Sequence, residues 1–295
     1  MIAQLASRST APIILLVVLS CGADRLSAQS CNRGISERPQ LQAVLKNYRH
    51  GRWHVAETAN FQVYSEESAS SADGLASHAE ALRTELASKW FGDKSVQSWK
   101  PLCQVVLHQS RRGYVETVGP GSERTLGSSA VCFDNGRITS RRIDLRGGDR
   151  AYLTDALPHE LTHVVLRDRF SSGTLPRWAD EGMAMVADTE AKQARHVRDL
   201  QAAIASGTEF NAAELLTMRE YPRSDRRQAF YGQSVFVTKF LIARKDPQQF
   251  VKFVERASVV GYDPALKECY DITGAVQLDR LWRSDLYTTR LASTQ

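Results

Sequence analysis

Five residues near the middle of the chain, His159-Glu160-Leu161-Thr162-His163, have the types and the spacing that metal chemistry requires. Two histidines four positions apart on a helix project to the same side, with Cβ atoms roughly 5–6 Å apart. That separation lets two imidazoles share one metal ion at Zn–N distances of roughly 2.0–2.1 Å. Glu160 follows the first histidine and projects toward the side of the pair where an activated water would sit. A carboxylate there can take a proton from that water and pass it to a leaving group. A catalytic zinc keeps three protein ligands and one open position. Glu181, eighteen positions beyond His163, is the candidate third ligand.

These side chains converge only if particular elements carry them. Leu157, Leu161, Val164 and Val165 recur at helical spacing, so the histidine pair belongs to an amphipathic helix, beside its buried stripe. Ser171-Ser172-Gly173-Thr174-Leu175-Pro176 reads as a reversal, and residues 177–188 read as a second helix. Two helices joined in this way can lie antiparallel, which turns Glu181 toward the histidines. Upstream, residues 41–48 read as a short helix, 61–64 as a strand and 65–71 as a loop. Residues 78–91 read as a helix closed by Gly92, and 102–107 as a buried strand. Residues 129–133 and 137–145 read as strands joined through Asp134-Asn135-Gly136, a hairpin signal. Downstream, 195–205, 212–219, 235–243, 248–257, 264–269 and 276–286 have helical spacing. Strands first and helices after argue an α+β fold.

His-Glu-x-x-His with a glutamate base is the pattern of zinc-dependent proteases, and here a family resemblance enters. The two segments resemble the gluzincin zinc peptidases, in which two histidines and a downstream glutamate bind zinc. Trp178-Ala179-Asp180-Glu181-Gly182-Met183-Ala184 is similar to the WLNEGFA segment of the aminopeptidase N family, with the histidine-to-glutamate spacing one residue shorter here. A closer likeness is to bacterial exported proteins with a peptidase MA-like domain, which carry HELTH followed by Pro-x-Trp-x-x-Glu-Gly. The likeness extends from roughly residue 60 to the C-terminus and is specific only at these motifs.

The resemblance implies a zincin-like fold: an N-terminal mixed or antiparallel sheet lobe with the active-site helix, closed by a C-terminal helical lobe. It implies Zn2+ held by His159, His163 and Glu181, with Glu160 as general base and a peptide or protein as substrate. Relatives also carry Tyr-Glu-Lys-Gly at the opening of a helix, the tyrosine hydroxyl stabilising the oxyanion. Here Phe230-Tyr231-Gly232-Gln233-Ser234 precedes a helical run, which makes Tyr231 the counterpart. Gln233 and Ser234 stand where the family has Lys and Gly, and a half-buried tyrosine capping a core helix is the other reading. Gluzincins pair the substrate backbone with an edge strand, a role that residues 138–145 would take. An ordinary edge blunted by Arg141 and Arg142 is the alternative. The Gly-x-Met-Glu-Asn segment with which the aminopeptidases hold a free amine has no match in the chain, so exopeptidase action is not supported.

The ends and the composition bound the rest. Residues 11–20 are apolar, follow Arg8, are too short for a membrane span and fit a secretory signal cleaved after Ala28. Val18-Leu19-Ser20-Cys21-Gly22 alternatively resembles a bacterial lipobox, with a lipid on Cys21 as the only membrane tie. Both readings make the protein exported, periplasmic or secreted. In an oxidising compartment Cys31, Cys103, Cys132 and Cys269 could form up to two disulfides, in any of three connectivities. The expected organisation is a signal over 1–28, an extension over 29–59, a sheet lobe with the zinc-site helices over 60–188 and a helical lobe over 189–295. Net charge is +5 without a basic run or a nucleic-acid fold motif, so no nucleic-acid partner is expected. His50, His54, His78, His108 and His196 lack ligand spacing. Two rivals stay open: a zinc-loaded but inactive peptidase-like module of the envelope, and a structural protein without metal.

Overall fold

The computed structural model describes residues 14–18, 44–92, 97–170 and 175–292. The fold is α+β, a mixed sheet followed by a run of helices. Strand β1 (Ile14–Val18) lies at one border of the sheet. Strands β2 (Lys46–His50), β3 (Trp53–Glu57) and β4 (Phe61–Ser65) form an antiparallel meander at the other. Helix α1 (Ala69–Phe91) then crosses over to β5 (Cys103–His108), which runs parallel to β4. Ser68 caps the start of α1 by accepting from the Ser71 amide, and Gly92 ends it at φ 68°, the left-handed conformation that a helix C-cap favours. After helix α2 (Arg111–Val118), strands β6 (Gly127–Asp134) and β7 (Arg137–Arg146) form a hairpin. Its turn residues Asn135 and Gly136 have φ of 47° and 76°, the paired positive angles of a tight hairpin turn. The strand order is β1-β6-β7-β5-β4-β3-β2.

The period-2 pattern of the strands decides what covers the sheet. Phe61 and Val63 of β4, Cys103, Val105 and Leu107 of β5, and Ile143 and Leu145 of β7 share one core. Into it α1 sends Leu75, Ala76, Ala79, Leu86 and Trp90, and helix α3 (Leu157–Arg169) sends Leu157, Leu161, Val164 and Val165. The apolar stripe that identified α3 in the sequence is thus the face it lays on the sheet. Helix α4 (Arg177–Met185) follows, then α5 (Glu190–Ser206), α6 (Ala212–Thr217), α7 (Arg227–Arg244), α8 (Pro247–Val260), α9 (Tyr262–Tyr270) and α10 (Gly274–Ala292). Helix α7 packs against both α4 and α5. Gly182 makes the first contact close, because a Cβ there would lie 2.8 Å from the Ser234 carbonyl. The α8 residue Gln248 donates to the Ser88 and Lys89 carbonyls of α1, tying the helical run to the sheet layer.

Several expectations need correction. Residues 46–48 are strand, not helix: the segment turns at Gly51 and pairs with β3, an arrangement that local spacing does not reveal. Two strands, β2 and β3, therefore arise from the stretch read as an N-terminal extension. Helix α1 begins at Ala69, because the Ser68 cap converts the expected loop into a first turn. Helix α7 begins at Arg227, so Tyr231 lies within it rather than ahead of it. The strand proposed as the edge, β7, is interior, paired with β6 on one side and β5 on the other. No two-disulfide framework joins the described cysteines: Cys103, Cys132 and Cys269 are all free thiols. Residues 171–174 of the expected reversal, Cys21, Cys31 and most of the expected signal lie outside the described residues. Among the described residues no helix is long and apolar enough to cross a membrane.

Candidate metal centre

Helix α3 continues directly from a π-helical turn, Tyr152–Ala156, and carries Pro158 near its start. From His159 to Arg167 every residue is buried. The Nε2 atoms of His159 and His163 lie 3.2 Å apart. Glu181, on α4, is fully buried, with its Oε2 3.9 Å from the His159 Nε2. The three potential ligand atoms all lie within 4.8 Å of one another. The three residues named as ligands from spacing are thus brought together by the packing of α4 against α3.

What orients them was not visible in the motif. The His159 Nδ1 donates to Asp188 Oδ1 at 3.0 Å, and the His163 Nδ1 donates to Asp180 Oδ1 at 2.7 Å. Each imidazole is thereby locked with Nε2 facing its neighbour, the carboxylate–histidine pairing that metal sites use to fix tautomer and ring angle. Asp180 also accepts from Arg167, and Asp188 accepts from Lys192 at 2.8 Å. Tyr221 donates its hydroxyl to Glu181 Oε1. The other Glu181 oxygen, Oε2, is buried with no hydrogen-bond partner. A buried, unbonded carboxylate oxygen is costly, and this one faces two imidazole nitrogens. A divalent cation would satisfy all three atoms at once, so the residues present fit zinc.

The electrostatics agree with a site built for a cation. Burial works against charge on His163, yet Asp180, Glu181 and Glu160 hold its pKa up at about 9. Burial carries His159 down to about 4 in spite of Asp188. Burial would raise the Asp180 carboxyl, but Arg167 and His163 keep it well below the usual range. For Asp188, burial is likewise outweighed, by His159 above all. Both aspartates therefore stay ionised behind their histidines.

Glu160 reaches the sheet. Its Oε2 accepts from Ser129 of β6 at 2.7 Å. Burial raises its pKa to about 7, against the opposing pull of His163. This close approach depends on Gly127, where a Cβ would lie 2.8 Å from the Glu160 Cγ. A cavity of about 20 Å³, room for roughly one water, is bounded by Gly127, Ala156, His159, Glu160 and Lys192. Tyr231 is buried on α7; its ring lies 6.3 Å from that of Tyr221 and 6.5 Å from that of His196. Tyr221, from the loop before α7, touches the site directly through Glu181. Nothing in its local sequence marks Tyr221, nor Ser129 or Asp188, as part of the site. Asp180 had one signal, its place beside Glu181 on a buried helix. In comparison with known proteins, no family model matches the chain and no curated protein matches it significantly.

Proposed function

We propose that the protein is an exported, zinc-dependent peptidase of gluzincin type with a zincin-like fold, cleaving peptide bonds of a peptide or protein substrate. The observation that carries this reading is the buried trio of His159, His163 and Glu181, with an unbonded Glu181 oxygen aimed at two aspartate-backed imidazoles. A nonspecific pair of surface histidines would have neither the aspartates nor the orphaned oxygen. Bound there, zinc supplies Lewis acidity toward water and toward the scissile carbonyl.

The chain's own residues supply the rest. Glu160 is poised to accept a proton: its pKa of about 7 lies near neutral pH, where a general base works best, and the one-water cavity adjoins it. Ser129 holds one carboxylate oxygen of Glu160, which leaves the other for the proton. Glu160 would then return that proton to the departing amine. Tyr231 remains the candidate for binding the oxyanion through its hydroxyl.

The substrate backbone would lie along β6, the strand that carries Ser129 past Glu160. Its outer edge can accept an extended segment through main-chain hydrogen bonds. In the structure Ile14–Val18 of the chain itself takes that place, antiparallel, with Ser129 opposite Val17. The experiment is a peptide-library digest, read by mass spectrometry, on zinc-loaded wild type and Glu160→Gln. Cleavage by the wild type alone is expected. No cleavage by zinc-loaded wild type would favour the inactive binding module, and equal cleavage by both proteins would remove Glu160 as base.

A further inference from the structure

At the far end of α3 from the histidines lies a second cavity, of about 1120 Å³, bounded by Arg83, Trp99, Lys100, Arg137, Arg141 and Asp168. Two of its arginines are almost wholly buried, Arg83 at 2% and Arg141 at 5% exposure. Both guanidiniums stack on Trp99, at 4.3 and 4.8 Å from the ring centroid. Arg83 donates to the Gln97 carbonyl, and Arg141 donates to Pro101 O at 2.9 Å and to Asp168 at 2.7 Å. Yet the Nε of each is buried with no hydrogen-bond partner.

The charges do not balance. Asp168 is the one acid on the wall, and it also accepts from the Trp99 indole. Glu80, which feels Arg83, has its two oxygens committed to the Asn60 amide and side chain at 2.7 Å each. Arg169, also on the wall, is paired with Glu255. Arg83, Arg141, Lys100 and Arg137 are thus four cations set against two carboxylates, Asp168 on the wall and Glu80 behind it. Removing two guanidiniums from water is costly unless opposite charge is brought in, and stacking on an aromatic ring recovers only part of that cost. Guanidiniums with an excess of positive charge around them are the usual receptor for planar or tetrahedral oxyanions.

We propose that this cavity binds a compact oxyanion, a carboxylate or phosphate group of a small ligand, against Arg83 and Arg141, with Lys100 and Arg137 at the rim. The site is separate from the metal centre and does not depend on it.

The test is isothermal titration of the full chain, with and without a metal chelator, using inorganic phosphate, citrate and an acetylated peptide ending in a free carboxylate. The same peptide ending in an amide is the control. Because Arg83 and Arg141 are buried, the main variant is the exposed pair Lys100→Ala/Arg137→Ala, with folding checked by thermal unfolding. One equivalent of at least one probe should bind, unaffected by chelator, and at least tenfold more weakly in the double variant. Whichever probe binds best assigns the source of the oxyanion. No binding of any probe at millimolar concentration, or equal affinity in the double variant, would overturn the proposal.

Discussion

The two ends of α3 meet the same physical problem, charge buried beside a sheet, and solve it in opposite senses. At the N-terminal end each histidine is backed by its own aspartate, and the carboxylate oxygens left without a partner, Glu181 Oε2 and Asp188 Oδ2, are acceptors. At the C-terminal end two arginines share Asp168, and the atoms left without partners are donors, the Nε of Arg83 and of Arg141. An orphaned acceptor beside two imidazoles and ionised carboxylates invites a cation, and orphaned donors among cations invite an anion. Sorting buried polar atoms by what they lack separates the two sites where a count of charges would not.

The contrast can be broken most forcefully at the base. Glu160→Gln should lower peptide turnover by about 10²–10⁴-fold while zinc content, measured by mass spectrometry of the metal, stays at the wild-type value. Asp180→Ala should come next. It strands Arg167 and His163 in the core, and urea unfolding should register a loss of about 3–5 kcal/mol. Asp188→Asn keeps the volume but weakens the support of His159. Competition with a chromophoric chelator should show zinc affinity about 10–100-fold lower. Gly127→Ala presses a methyl group onto Glu160, so kcat should fall by up to about 10²-fold with zinc affinity unchanged. Ser129→Ala is the mildest, freeing one oxygen of Glu160 for a loss of about tenfold or less in kcat/KM.

What could be read from the chain follows the range of the interactions concerned. His159, Glu160 and His163 share one helix, and Glu181 lies on the next, so their convergence was legible as soon as the two helices were. The β6–β7 hairpin was legible too, because Asn135 and Gly136 carry the turn in their own residue types. The edge assignment failed because β7 finds its second partner in β5, across more than thirty positions of sequence that no local pattern links. Tyr221, forty positions from Glu181, and Ser129, thirty-one from Glu160, escaped for the same reason. The hairpin of β2 and β3 was hidden differently: β2 is exposed along its whole length, so it carries no hydrophobic alternation to betray it.

The central claim is that His159, His163 and Glu181 hold one divalent cation between them. Metal analysis of the full chain, purified without chelator, tests it most directly when wild type and Glu181→Ala are measured side by side. About one equivalent of zinc in the wild type, and a large loss in the variant, is the expected result. Well under half an equivalent in the wild type, or the same zinc content in both, would contradict it.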